Sequence, residues 1–267
     1  MPKIENLEQW GRDWAVWAPG AGRVERRAEY LRLATMEARD SAYSDAQLDD
    51  YATGGLRWRP PLTMSFTVRL GASAGQPVGT AGFGLWNDPG GSRTRRPALP
   101  RALWFFYASP PSNLDLDGRA PGAGWLAMTL DASRRPLLAL LPLAPLALAL
   151  MQHPWLRRAL WPIGQWALGA RQVPLRVDPA GWHTYRIEWL ARRARFWVDG
   201  RLALDTPFAP RGPLGLVLWI DNQYAVVTPR GVLRGGLLAA PGEQWLDIAD
   251  LEIGVKDKDR STQRRRG

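Results

Sequence analysis

The sequence predicts an all-β fold, an antiparallel two-sheet sandwich, and three observations carry this prediction. Residues 62–72 read LTMSFTVRLGA, so apolar and polar side chains alternate with the period of two that a strand with one buried face requires. Short runs of the same kind recur along the chain between clusters of Pro, Gly, Asn and Asp. Asp199 and Gly200 separate two such runs, and an Asp-Gly pair is typical of the tight turn in a β-hairpin.

The same criteria place the remaining strands in chain order. AEYLRLAT (28–35) is the first predicted strand, and SAYSDAQLDDYAT (41–53) contains the second. The chain has 46% hydrophobic residues and 15 tryptophans, which is enough apolar surface for a large core. After residues 62–72, further strands are predicted in TAGFGLWND, RALWFFYASP, GWLAMTLDA, WHTYRIEWLA, RARFWVDGRLALD, LGLVLWIDNQ and WLDIADLEIG.

One segment interrupts this series of predicted strands, and we expect it to be an apolar, helical insertion at residues 136–172. Residues 137–151 are apolar throughout, but Pro142 and Pro145 argue against one continuous helix. A helix of that length would measure about 22 Å, which is short of the roughly 30 Å hydrocarbon core of a bilayer. Three roles remain open for residues 137–170: a flap over the sandwich, a contact in a homodimer, or peripheral contact with a membrane.

The formal charge of +10 does not require a polyanionic partner. Only three of the 35 basic residues are lysines, so 35 − 3 = 32 are arginines, in a chain also rich in Ala, Gly, Pro and Leu. This bias is typical of genomic base composition, and we expect no nucleic-acid partner. Residues 255–267 form a predicted disordered basic tail, because KDKDRSTQRRRG holds six cations and two anions but no apolar side chain.

The sequence predicts no cofactor and a cytoplasmic location, with peripheral membrane contact as the alternative. No cysteine occurs, which excludes disulfides, a thiolate metal site and a cysteine nucleophile. The start, MPKIENLEQWGRDWAVW, lacks the apolar stretch and cleavage site of a secretory signal. Two histidines are too few for a multi-histidine metal site, and a structural calcium ion held by irregular loops cannot be read from sequence.

The segment WHTYRIEWLARRARFWVDGRLAL carries a resemblance to a known family. It places a His-x-Tyr-x-x-x-Trp strand before a Phe-x-Val-Asp-Gly strand, at His183, Tyr185, Trp189, Phe196, Val198, Asp199 and Gly200. This pattern resembles the paired strands of concanavalin A-like jelly rolls, especially family-16 glycoside hydrolases. GFGLWND and WLDIADLEI resemble two further strands of that family. The resemblance implies a single concanavalin A-like jelly-roll domain over residues 1–254, interrupted by the insertion.

The catalytic part of the family pattern is missing. Retaining members of the family carry a Glu-x-Asp-x-Glu strand whose carboxylates act as nucleophile, helper and general acid. Retaining hydrolysis needs two carboxyls about 5 to 5.5 Å apart, and alternation along a strand supplies that spacing. The matching strand, PRALWFFYASPP, contains no acid. We therefore predict no catalytic residue, with a glycoside hydrolase whose carboxylates are relocated, for example to Asp88 or Asp221, as the alternative.

Aromatic side chains occupy the place of the missing acids. In RALWFFYAS, Trp104 and Phe106 point to one face, and Phe105 and Tyr107 point to the other. A saccharide ring needs an aromatic plate to stack on and fixed donors and acceptors for its hydroxyls. We expect a carbohydrate or small amphipathic ligand on the concave face. The predicted contacts are Trp86, Asn87, Asp88, Trp104, Tyr107, Trp219, Asp221 and Asn222.

Two further interpretations remain open. Aromatic residues favour strands in general, so the same sheet could be purely structural. The insertion at residues 136–172 could itself be the functional part, as a membrane-surface or apolar-ligand element. In the last predicted strand, Asp247, Asp250 and Glu252 are expected to be solvated.

Overall fold

The structure is a computed structural model, and it describes residues 14–114, 116 and 122–255. Two seven-stranded antiparallel sheets pack face to face, which confirms the predicted sandwich. The first sheet has the strand order β1 (Ala15–Trp17), β4 (Asp45–Asp49), β14 (Gly215–Asp221), β6 (Thr80–Trp86), β7 (Arg101–Ala108), β9 (Gly124–Asp131) and β10 (Arg171–Pro174).

The second large sheet and one small sheet complete the strands. The second sheet has the order β13 (Arg201–Thr206), β12 (Arg193–Val198), β11 (His183–Leu190), β5 (Leu62–Ala72), β17 (Ala240–Val255), β3 (Leu31–Ala38) and β2 (Gly22–Arg26). A three-stranded sheet contains β16 (Leu233–Leu237), β15 (Gln223–Val227) and β8 (Asn113–Leu114). A short helix, α1 (Tyr51–Gly54), follows β4. The predicted basic tail lies outside the described residues, apart from Val255 at the end of β17.

The core lies between the two large sheets and is filled by one face of each strand. In β5, Leu62, Met64, Phe66 and Val68 are almost fully buried, as the alternation in the sequence predicts. Phe66 contacts Phe83 of the opposite sheet, with ring centroids 4.9 Å apart. Burial of these rings supplies the apolar contact that holds the two sheets together.

The predicted hairpin is present between β12 and β13. Val198 pairs with Arg201, so Asp199 and Gly200 form a two-residue loop with φ angles of +49° and +74°. Two positive φ values are the geometry that an Asp-Gly turn favours. The Asp199 carboxylate accepts a hydrogen bond from the Thr184 backbone N–H (2.9 Å), which joins the loop to β11.

The insertion between β9 and β10 is helical. It contains α2 (Arg135–Leu140), a 3-10 turn (Leu141–Leu143), α3 (Ala144–Leu150) and α4 (Pro154–Leu168). Pro142 and Pro145 lie in the first turns of the short elements, where a missing backbone N–H costs nothing, so they divide the apolar stretch as expected. Within the described part of the chain, no helix has the length and apolar character needed to cross a bilayer.

Candidate functional site

A groove of about 840 Å³ opens on the face of the first sheet that is turned away from the core. Side chains of β4, β14, β6 and β7 form its floor, and the β15–β16 hairpin lines one side. Strand alternation creates this floor: Leu218 and Ile220 are buried in the core, so Trp219 and Asp221 point into the groove. Because Trp86, Trp104 and Trp219 dominate the floor, we call it the indole groove.

The three indoles come from three neighbouring strands and contact one another. The rings of Trp86 and Trp219 are nearly parallel, at 7°, with centroids 6.4 Å apart. Trp104 is tilted against both, with centroids 5.9 Å from Trp86 and 5.3 Å from Trp219. All three side chains are half-buried, so each leaves part of its ring on the groove surface.

Two glycines of β6 make room for this cluster. A Cβ atom on Gly82 would lie 2.4 Å from the Trp219 ring, and one on Gly84 would lie 2.7 Å from the Cα atom of Trp104. Gly84 also has a φ of +145°, which residues with a side chain rarely adopt. The spacing of glycines in TAGFGLW is therefore a requirement of the aromatic floor.

The indole N–H groups have different environments. Trp86 Nε1 donates to the Tyr51 hydroxyl (2.6 Å), and Trp219 Nε1 donates to Thr80 Oγ1 (2.9 Å). Trp104 Nε1 is buried and has no hydrogen-bond partner among the described residues. A buried donor without a partner is costly, so this N–H is an unfavourable feature of the groove floor.

Two carboxylates lie side by side at one end of the floor. Asp221 of β14 is the register partner of Asp45 in β4, which places their side chains on the same face of adjacent strands. Asp221 Oδ1 accepts hydrogen bonds from Thr80 Oγ1 (2.8 Å) and the Gln223 backbone N–H (3.0 Å). Asp45 Oδ2 accepts from the Tyr43 hydroxyl (2.9 Å), whereas its Oδ1 is buried without a partner in the described chain.

Burial raises the pKa of both carboxyls. For Asp45, burial is the largest cause and the negative charge of Asp221 adds to it, so the pKa lies well above its ordinary range. Burial raises the pKa of Asp221 to about 6, although hydrogen bonds from Gln223 and Thr80 favour the ionised form. The pair therefore retains a proton at mildly acidic pH, and it can both donate and accept a hydrogen bond there.

The neighbouring polar side chains of the groove form a linked network. Gln47 Nε2 donates to Asp49 Oδ2 (3.0 Å), and Arg93 Nε donates to the same oxygen (2.9 Å). Asp45, Gln47 and Asp49 alternate along β4, and this period of two was the available signal for them in residues 41–53. The sequence prediction missed all three residues and Arg93, because nothing local shows that β4 lies beside β14.

Five of the eight predicted contacts line the indole groove: Trp86, Asp88, Trp104, Trp219 and Asp221. Asp88, however, is almost fully buried, and its carboxylate accepts hydrogen bonds from Ser92 Oγ and from the backbone N–H groups of Arg93 and Thr94. Burial acts to raise its pKa, but these hydrogen bonds outweigh it and the pKa is lowered. Asp88 therefore stabilises the loop after β6 as an ionised carboxylate.

Tyr107 was also predicted to contact the ligand, but it does not line the groove. Trp104 and Phe106 take the outer face of β7, so Tyr107 points into the core between the sheets. Its hydroxyl donates to the backbone carbonyl of Pro77 (3.0 Å). Alternation allows only one of Trp104 and Tyr107 on the groove face.

Asn87 and Asn222 were predicted to contact the ligand as well. Both are buried at strand ends, and neither lines the groove. Asn87 donates to the Leu99 carbonyl (2.9 Å) and accepts from the Arg101 backbone N–H (2.8 Å). Asn222 accepts from the Ser44 backbone N–H (2.9 Å) and donates to three backbone carbonyls. Both amides fix loops, and their hydrogen-bonding groups are already used.

The described residues contain no group of three or more His, Cys, Asp or Glu side chains placed to hold a metal ion. The indole groove presents aromatic rings, the Asp45–Asp221 pair, and the amide and guanidinium groups beside them. Such a surface can stack on a ring and exchange hydrogen bonds with hydroxyl groups.

The comparison with solved structures supports the fold, whereas the comparisons of sequence found no match. No family model matches the chain, and no curated protein matches it. Among solved structures, the legume lectin-like domain from Entamoeba histolytica is similar over 94% of this chain and 94% of its own, with 9% identity and a TM-score of 0.52. An endo-acting O-glycanase from the human gut microbiota is similar over 91% and 92%, with 10% identity and a TM-score of 0.52. The chain has a concanavalin A-like sandwich fold, as the hairpin resemblance implied.

Proposed function

We propose that the indole groove binds a carbohydrate. The observation that carries this proposal is the convergence of Trp86, Trp104 and Trp219 on the floor of an open groove. Indole faces are flat and apolar, and they match the C–H face of a sugar ring. These three rings are only partly buried, so part of each indole is open to the groove.

The polar side chains at the end of the groove supply the second requirement of a saccharide site. Asp45, Asp221 and Gln47 offer carboxyl and amide groups, and Arg93 adds a fixed cation, all within the same groove. A small number of convergent polar groups beside a larger apolar surface is typical of small-molecule sites. The shared fold with a lectin-like domain and with an O-glycanase supports the same class of ligand.

Non-catalytic binding is the form of this proposal that we favour. The strand β7 crosses the floor with Trp104 and Phe106, and no acid projects from it. Of the acids that reach the groove, Asp45 and Asp221 lie together on β4 and β14, and Asp88 lies in the loop after β6. The groove is thus organised around stacking.

The test is calorimetric titration of the protein with a panel of neutral oligosaccharides. We expect Trp104→Ala and Trp219→Ala each to weaken binding about tenfold, because each removes one stacking surface. The matched control is Trp197→Ala: Trp197 lies on the outer face of the second sheet against Arg186, far from the groove, and its loss should leave affinity unchanged. No binding to any glycan, or equal affinity in all variants, would contradict the proposal.

A second candidate function, glycoside hydrolysis, is favoured by the Asp45–Asp221 pair. The raised pKa of each carboxyl is suited to a general acid, and retaining hydrolysis needs two carboxyls in close proximity. Release of reducing ends from a β-glucan, abolished in Asp221→Asn while glycan affinity is kept, would establish it. Asp88 is a weaker choice for the acid because its oxygens bind its own loop.

A further inference from the structure

The helical insertion leaves many of its large apolar side chains exposed. No residue of α2, the 3-10 turn or α3 is buried, and in α4 only Gln165 and Ala167 are buried. Of the 15 large hydrophobic side chains exposed in the described chain, nine belong to this segment: Leu138, Leu141, Leu143, Leu146, Leu148, Leu150, Trp155, Ile163 and Trp166. An apolar surface of this extent on one segment indicates an interaction site.

Helix α4 exposes large apolar side chains on the side turned away from the sandwich. Trp155, Ile163 and Trp166 are exposed by 68%, 53% and 51%, and their spacing of eight and three residues places them on one face of the helix. The side toward the sandwich carries the buried Gln165 and Ala167 and the partly buried Leu168. A helix that served only to cover the core would carry polar side chains on its outward face.

The charges around this apolar surface all have the same sign. No acid occurs between Asp131 and Asp178, whereas Arg135 and Arg158 are exposed within the insertion. The patch formed by residues 135–168 is therefore apolar with a positive rim. Tryptophan, leucine and arginine together are the composition of elements that lie in the interface of a bilayer.

We propose that residues 135–168 dock the protein on the surface of an anionic lipid bilayer. The leucines of the 3-10 turn and α3 and the tryptophans of α4 enter the boundary between headgroups and acyl chains, and the arginines contact lipid phosphates. The elements are too short to span the bilayer, so the contact is peripheral. This inference is independent of what the indole groove binds.

Charge distinguishes a bilayer from a second copy of the chain as the occupant. A two-fold dimer would bring the same patch of each copy together. Arg135 and Arg158 would then face arginines of the partner, with no acid in the segment to neutralise them. An anionic membrane supplies the missing negative charge.

The experiment is sedimentation of the full chain with vesicles of phosphatidylcholine containing phosphatidylglycerol, and with pure phosphatidylcholine. We expect binding to the anionic vesicles that decreases as salt is added, because screening weakens the arginine–phosphate attraction. Trp155→Glu and Trp166→Glu should each lower partitioning about tenfold or more. Arg135→Ala and Arg158→Ala should each lower it about fivefold.

Leu202→Glu is the matched control, because Leu202 of β13 is 53% exposed but lies outside the insertion. It should partition like the unmodified protein. All these side chains are exposed, so the variants should fold, and circular dichroism verifies this. The proposal is overturned if the anionic vesicles bind no protein, if the Trp155→Glu variant binds as well as the control, or if light scattering shows a dimer that Trp155→Glu dissociates.

Discussion

Asp221 lies at the end of β14 with its carboxylate enclosed, and Asp45 of β4 stands directly beside it. Burial removes the water that would stabilise each charge, and two negative charges in adjacent register positions repel each other. The hydrogen bonds that Asp221 receives from Thr80 and Gln223 compensate only part of this cost. A protonated pair is therefore the favoured state of the floor at mildly acidic pH.

We predict that the free energy of unfolding decreases as the pH rises from about 4 to about 6. The folded protein keeps a proton on Asp221 up to pH about 6, whereas the unfolded chain releases it near its ordinary pKa of about 4. The folded state thus binds more protons in this window and is stabilised at its acidic end. Asp45→Asn removes the second carboxyl whose pKa is raised in the folded protein, and it should flatten the decrease. Urea unfolding across this pH range gives the free energy of unfolding of the unmodified protein and of the Asp45→Asn variant. Equal pH dependence in the two proteins would count against the pairing of Asp45 with Asp221.

The sheet face to which a side chain points was predictable where a strand runs without interruption. Trp219 and Asp221 share a face by alternation, and the groove contains both. Alternation does not say which face of β7 meets the core, and the prediction of both Trp104 and Tyr107 as contacts could not hold for one groove. Asn87 and Asn222 lie just beyond strand ends, where the period of two no longer applies and local hydrogen bonds decide the side-chain direction.

At the scale of elements, β17 shows how a central strand neutralises a buried charge. It pairs with β3 on one side and β5 on the other, and Asp247 is the register partner of Arg32 and of Arg69. Arg32 Nε lies 2.8 Å from Asp247 Oδ1, and Arg69 Nε lies 2.9 Å from Oδ2. The expectation that Asp247 is solvated was wrong, because both partners come from strands that are distant in the sequence.

Asp247→Ala should lower the free energy of unfolding by about 3 kcal/mol, because it leaves two arginines without their shared carboxylate. Glu252→Ala is the control: Glu252 is exposed on the same strand, and its loss should change stability by less than about 0.5 kcal/mol. Urea unfolding measures both variants. A cost for Asp247→Ala no larger than that of the control would show that the cluster does not stabilise β17.

The elements themselves were largely predictable from pattern. Alternation identified β5, the Asp-Gly pair identified the β12–β13 hairpin, and the prolines divided the apolar stretch of residues 137–151 into short elements. The direction of the insertion was not predictable, because helical spacing in α4 gives an apolar face but not what that face meets. The structure turns Trp155 and Trp166 outward.

At the scale of the whole molecule, the groove and the insertion adjoin. Gln152 Nε2 donates to the Arg230 carbonyl (3.0 Å), which joins the insertion to the loop of the β15–β16 hairpin that lines the indole groove. Docking through the insertion would therefore hold the groove close to the membrane.

The Asp45–Asp221 pair depends on the contact between β4 and β14, which lie far apart in sequence. Long-range pairings of this kind have no local signature, so that part of the site was beyond sequence analysis.

We propose that Trp86, Trp104 and Trp219 form the floor on which a sugar ring stacks. The most direct measurement is nuclear magnetic resonance of the ¹⁵N-labelled indole N–H groups during titration with the oligosaccharide panel, assigned through single Trp→Phe variants. We predict saturable shifts for these three signals, with Trp155, Trp166 and Trp197 unchanged. Shifts confined to tryptophans outside the groove, or no shift with any oligosaccharide, would contradict it.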